Sequence, residues 1–166
     1  IIRLRFQFAE LGGEDQSTAR KKLQYTTGAP DDPATAWNNV DDVGGAGIWR
    51  YYDPDCSPTD CSDGSLLSAT VLTGSNQTGT WVLNKDAAAS ANMNHGILRV
   101  LENDYIIEMN GAPGDTYYFR AYDIDQQTPV FRQQTSAPAT PCVGVACTYP
   151  SIIIAQLAIT KIDVTP

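Results

Sequence analysis

Apolar and polar residues alternate without a break from Ile2 to Phe8. Ile2, Leu4, Phe6 and Phe8 fall on one face of an extended segment, and Arg3, Arg5 and Gln7 on the other. This period of two predicts a half-buried strand. After the turn-rich LGGEDQS, the segment Lys21 to Thr27 predicts a second strand with Leu23 and Tyr25 inward, and a third, short one follows the loop GAPDDPAT at Trp37 to Val40. VGGAG breaks the pattern, and IWRYY restores an aromatic strand from Ile48 to Tyr52, in which adjacent Tyr51 and Tyr52 face opposite ways. Leu66 to Leu72 and Thr80 to Leu83 flank the turn TGSNQTG, Ile97 to Leu101 and Tyr105 to Met109 come next, and Thr128 to Phe131 and Ile152 to Val164 close the series. Trp81 is expected in the core. DAAASANMNH, Asp86 to His95, has helix-forming alanines and an N-cap residue at Asp86, and predicts a helical turn or ordered loop.

The segment GAPGDTYYFRAY, Gly111 to Tyr122, joins a tight turn to another alternating strand. Pro113 presets φ for the turn, and Gly114 can take the positive φ that the next position often requires. Tyr117, Phe119 and Ala121 then share one face, with Arg120 opposite. A tyrosine just after such a corner can bury its ring and return its hydroxyl to the turn backbone. Strand signals separated by Gly, Pro and Asn turns, with no amphipathic helix between them, predict an all-β antiparallel sandwich with long loops.

The residues from Pro113 to Arg120 resemble the fibronectin type III signature between that family's last two core strands, with Asp115 as one extra residue. The wider series LRFQFAE, KLQYTT, WRYYD, TYYFRAYD and YPSIII resembles repeats of large bacterial surface proteins, over most of the chain. The resemblance implies an Ig-like, fibronectin type III-like sandwich in a cell-surface setting, with structural and adhesive roles and no catalytic residues to carry over. The loops are longer than that family's, so specialised function is expected in them.

The 166 residues suit one domain. We divide them into a sandwich over 1–158 and a C-terminal extension over 159–166. Nineteen acidic against eleven basic residues give a net charge of -8, and without a basic stripe this argues against nucleic acid as a partner. No run of 18 apolar residues exists, so no membrane span is expected. No secretion signal is visible, and Ile1 opens directly into a strand, which points to a processed mature protein or a piece of a longer one.

Cys56 and Cys61, and likewise Cys142 and Cys147, are separated by four residues. Local disulfide pairing is the simplest reading, each bond contributing roughly 2 kcal/mol and implying an extracellular or cell-surface location. A four-cysteine zinc site is the alternative, although its usual knuckles hold two intervening residues. Asp53, Asp55, Asp60 and Asp63 crowd around the first pair, where hard oxygen ligands can converge on calcium; the spacing departs from the EF-hand, and a solvated turn is the plainer reading. Asp31-Asp32 and Asp41-Asp42 read as turns. Calcium aside, no cofactor is expected.

The sole histidine, His95, lies in a small polar loop and no G-x-S-x-G motif occurs, so the chain is expected to be non-catalytic. Asn76-Gln77-Thr78 forms a glycosylation sequon in a predicted turn. Trp37, Trp49, Trp81 and the tyrosines are candidates for a sugar-stacking platform, with burial in the core as the competing reading. The two ends carry the last signal. Ile2 and Leu4 open the first strand, and SIIIAQLAITKIDVTP leaves Ile159, Ile162 and Val164 beyond what one closing strand needs. Exposed apolar strands seek partners. The expected function is therefore an extracellular structural subunit of a filament or array, self-associating by strand addition. A long final strand, or a linker to the next repeat of a larger surface protein, is the plainer reading of that tail, and the alternative function is an adhesive or carbohydrate-binding module of a larger surface protein.

Overall fold

The computed structural model describes residues 1–9, 20–53, 62–85, 99–111, 116–125, 127–129 and 151–153. These residues form nine strands and no helix: β1 (Ile2–Ala9), β2 (Lys21–Thr26), β3 (Asn38–Asn39), β4 (Trp49–Tyr51), β5 (Gln77–Val82), β6 (Val100–Met109), β7 (Thr116–Asp123), β8 (Thr128–Pro129) and β9 (Ser151–Ile153). The described residues are all-β.

Two sheets result. In the first, β6 is the hub: β1 runs along one edge of it, and β4 and β5 share the other. In the second, the order is β3-β2-β7, with β8 and β9 both on the far edge of β7. The pairings are antiparallel except that of β5 with β6, which is parallel and shifts register between Thr78 and Trp81.

The inner faces of the two sheets share one apolar cluster. Phe8, Trp49, Tyr51, Leu101, Tyr105 and Ile107 come from the first sheet, and Leu23, Tyr25, Tyr117, Phe119 and Ala121 from the second. Trp49 meets Tyr117 and Phe119 edge to face, at 5.4 and 5.2 Å between ring centroids, a favoured geometry for aromatic pairs. Two buried tyrosines tie the sheets by hydrogen bonds as well. The Tyr105 hydroxyl donates to the Lys21 carbonyl at 3.1 Å, and the Tyr51 hydroxyl accepts from the Leu23 N–H at 3.0 Å. Burial pushes both phenols above the ordinary tyrosine range, because a phenolate between the sheets would lose its hydration.

The alternation from Ile2 to Phe8 is realised in β1, with Phe8 buried, Ile2, Leu4 and Phe6 packed partly against the core, and Gln7 exposed. Two strand expectations are corrected. Ile97–Leu101 and Tyr105–Met109 are expected as two segments; β6 instead runs unbroken from Val100 to Met109, and the Glu102, Asn103 and Asp104 between them are at 0% exposure. Leu66–Leu72 does not extend as a strand. It makes a single bridge, Leu66 to Thr80, and then turns away with Val71 68% exposed. The expected helical turn at Asp86–His95 and the corner residues Pro113 and Gly114 lie outside the described residues.

Candidate functional site

The polar stretch inside β6 is explained by what faces it. In the register of the β1–β6 ladder Arg5 stands opposite Asp104 and Arg3 opposite Ile106, so both guanidinium groups cover the outer face of β6. Arg3 donates to Asp104 Oδ2 through Nε at 2.8 Å and Nη2 at 2.5 Å. Arg5 reaches the same oxygen through Nε and Glu102 Oε1 through Nη1, each at 2.5 Å. Two cations thus neutralise two buried carboxylates. Trp81 of β5 flanks the group, its ring 4.6 Å from the Arg3 guanidinium carbon, and it is half-buried, not fully in the core.

Glu102 also holds the segment that fails to become a strand. Its carboxylate accepts the Val71 N–H at 3.0 Å from each oxygen and the Leu72 N–H at 2.8 Å. Gln7 fastens the next turn, donating to the Thr73 carbonyl at 2.9 Å and to Ser75 Oγ at 2.8 Å. Burial alone would raise the Glu102 carboxyl, but the Leu72 and Val71 amides together with Arg5 and Ser75 outweigh it and hold the group below the ordinary glutamate range. Asn103 completes the arrangement by accepting the Thr80 N–H at 3.2 Å. Gly79 is required there: a Cβ would collide with Asn103 Oδ1 and lie 2.5 Å from the Glu102 carbonyl oxygen.

The consequence falls on β1. It pairs β6 over all eight of its residues, and among the described residues no strand pairs its other edge. Natural edge strands are commonly guarded by charge, proline, bulges or brevity. β1 has neither proline nor bulge, its register runs unbroken from Ile2 to Ala9, and its two arginines are held by the carboxylates of β6.

The outer face of the second sheet is different. Arg120 donates through Nε to Gln24 Oε1 at 2.9 Å, and Gln24 passes its amide to Asn39 Oδ1 at 3.0 Å, a row across β7, β2 and β3. Trp37 lies against this row, its ring centroid 4.1 Å from the Arg120 guanidinium carbon. Lys22 Nζ sits 5.3 Å from the Tyr122 ring centroid. Of the tryptophans considered as a sugar platform, Trp37 is therefore on a surface and Trp49, at 0% exposure, is in the core.

Ile2 and Leu4 stand on β1 with their side chains partly buried. Tyr117 and Phe119 point into the core at 2% and 0% exposure. Asp53 is exposed, and Asp63 Oδ1 accepts the Leu83 N–H at 2.7 Å; among the described residues no three His, Cys, Asp or Glu side chains gather where a metal ion could be held. Asn76 is exposed, with its Oδ1 accepting the Val100 N–H at 2.8 Å. Cys56, Cys61, Cys142, Cys147, Asp55, Asp60, His95, Ile159, Ile162 and Val164 lie outside the described residues. Among the described residues no helix is long and apolar enough to cross a membrane.

Sequence reasoning missed the Arg3, Arg5, Glu102 and Asp104 group. The signal was present as two pairs spaced by two residues, RLR in one strand and END in another, which only cross-strand register brings together. Comparison with protein-family models, with curated proteins and with solved structures found no match.

Proposed function

We propose that this chain is a non-catalytic extracellular structural protein, an Ig-like or fibronectin type III-like antiparallel β-sandwich that assembles into a filament or cell-surface array. The observation that carries the reading is the continuous edge of β1, which no strand among the described residues pairs. In an antiparallel ladder alternate residues turn their N–H and C=O groups outward, so this edge offers about four of each to an added strand. The candidate donor is the apolar segment ending in Ile159, Ile162 and Val164 of another copy. Ladder hydrogen bonds supply cohesion, and alternate side chains of the added strand supply register. Because each copy carries both an edge and a donor, the contact is head-to-tail and propagates where rotation does not close a ring.

Negative-stain electron microscopy and sedimentation of the full chain, beside a variant lacking Ile159–Pro166, test the proposal. Filaments from the full chain and folded monomers from the truncation are expected, with unchanged far-UV circular dichroism. Filaments that persist after truncation, or a full chain that stays dispersed at high concentration, refute it.

A further inference from the structure

We propose that Asn110 is a self-modification site, where the side-chain amide is lost as ammonia and the residue becomes aspartate or isoaspartate, with the Gly111 backbone nitrogen as nucleophile and water as co-reactant. The inference is independent of assembly through β1.

Asn110 is the one asparagine of the chain that a glycine follows. It stands at the exit of β6, where both it and Gly111 are exposed. The Asn110 N–H donates to the Ile48 carbonyl at 2.7 Å, on the β4 side of β6. The alternation of an antiparallel ladder carries the next N–H, that of Gly111, to the other side. There the β1 ladder ends with the Ile2–Ile107 pair, short of Gly111, and among the described residues this N–H meets no acceptor. Gly111 has no Cβ to shield its nitrogen, and Ile48 crowds the place where one would stand, with its Cγ2 only 3.0 Å away. Among the described residues no hydrogen bond holds the Asn110 side-chain amide, so Cγ can turn toward the nitrogen of the next residue.

The chemistry balances with water alone. Hydroxide takes the Gly111 N–H proton, and the nitrogen attacks Asn110 Cγ. A C–N bond forms and closes a succinimide ring; the Cγ–Nδ2 bond breaks, and the leaving nitrogen takes a proton from water and departs as ammonia. Water then opens the ring. Attack at Cγ restores the ordinary backbone as aspartate, whereas attack at the Asn110 main-chain carbonyl leaves the chain running through Cβ and Cγ as isoaspartate. Other asparagines lack the combination. Asn103 is at 0% exposure inside β6, the Asn76 Oδ1 accepts the Val100 N–H and Gln77 follows it, and the Asn39 Oδ1 accepts from the Gln24 amide. Either product adds a negative charge on the face that carries Glu108, two residues away and paired with Arg50. Isoaspartate also lengthens the main chain where β6 makes its last contact with Ile48.

Incubation of the folded full chain at mildly alkaline pH, followed by digestion at acidic pH and peptide mapping by mass spectrometry, tests the assignment. A synthetic peptide spanning 106–112 supplies the rate without the fold. Asn110 should convert before every other described asparagine, to both aspartate and isoaspartate, with ammonia released in equal amount and a rate that rises with pH. Asn110→Gln should show no conversion at this position. Gly111→Ala, whose methyl group shields the nitrogen, should slow it severalfold while far-UV circular dichroism stays like that of the parent. Asn110 left intact while the peptide converts, conversion that appears only in denaturant, equal conversion at Asn76 or Asn103, or an unaltered rate in Gly111→Ala would each overturn the proposal.

Discussion

Replacing Glu102 by glutamine tests whether the buried carboxylates of β6 anchor the loop and β1 together. The carboxylate serves four donors, Arg5 Nη1, the Val71 N–H, the Leu72 N–H and the Ser75 hydroxyl, and its side chain is at 0% exposure beside an Arg5 side chain at 17%. Glutamine keeps one oxygen. Its NH2 must then face either Arg5 or Leu72, donor against donor. The loss of a bond to a charged group costs about 1.5–3 kcal/mol and an unpaired buried donor about 1–3 kcal/mol. Partial relaxation of the loop leaves a net cost of about 3 kcal/mol, or roughly 6–12 °C in Tm for a chain of this size. Glu108→Gln is the internal control, since the Arg50–Glu108 pair has the same charges but side chains 26% and 25% exposed; its cost should be below about 1 kcal/mol. Guanidinium chloride unfolding, with the slope checked for constancy, reads both, and amide exchange at Val71 and Leu72 should accelerate only in Glu102→Gln. Equal destabilisation by the two substitutions would refute the reasoning. The pH dependence follows. The folded Glu102 carboxyl sits below its unfolded value, so its contribution is complete above the ordinary glutamate range and is lost as pH falls through the depressed value. Wild type should therefore lose more stability on acidification than Glu102→Gln.

Gly79→Ala should destabilise by about 1–3 kcal/mol, because the new methyl meets Asn103 Oδ1 and the Glu102 carbonyl; the denaturation midpoint measures it. Tyr51 and Tyr105 have folded pKa values raised by burial, so stability present below the ordinary tyrosine pKa should be lost as pH rises through it and toward the folded values. Absorbance at alkaline pH should show these two phenols ionising only with unfolding, and Tyr105→Phe should cost about 1–2 kcal/mol through the bond to the Lys21 carbonyl. Thiol titration of unreduced protein should find no free cysteine, and reduction should lower stability by roughly 2 kcal/mol per bond; four reactive thiols would overturn the pairing of Cys56 with Cys61 and Cys142 with Cys147.

The strands that alternate cleanly were legible. β1 and β7 follow directly from IRLRFQF and TYYFRAYD, because a sheet with one buried face imposes a period of two. The middle of β6 was not legible, since END is polar throughout and nothing nearby in sequence neutralises it. Its partners lie 97 to 101 residues away. Leu66–Leu72 misled in the opposite sense: its apolar residues suggested a ladder, yet its amides at Val71 and Leu72 are satisfied by the Glu102 side chain. The aromatic surface was half legible. Trp37 and Trp49 look alike in sequence, and only the packing of Trp49 against Tyr117 and Phe119 places one inside and leaves the other beside Arg120.

The position of β6 as hub governs how the chain is made. Ala9 pairs with Val100 and Thr26 with Tyr118, so neither sheet can begin its principal ladder until synthesis has reached Val100 and Tyr118. At typical translation rates β1 waits roughly 5–20 s, with Ile2, Leu4, Phe6 and Phe8 uncovered and Arg3 and Arg5 still charged and hydrated. Those arginines change role when β6 arrives. In the nascent chain they are the charged, hydrated face of an otherwise apolar strand; in the folded protein they are drawn onto Asp104 and Glu102.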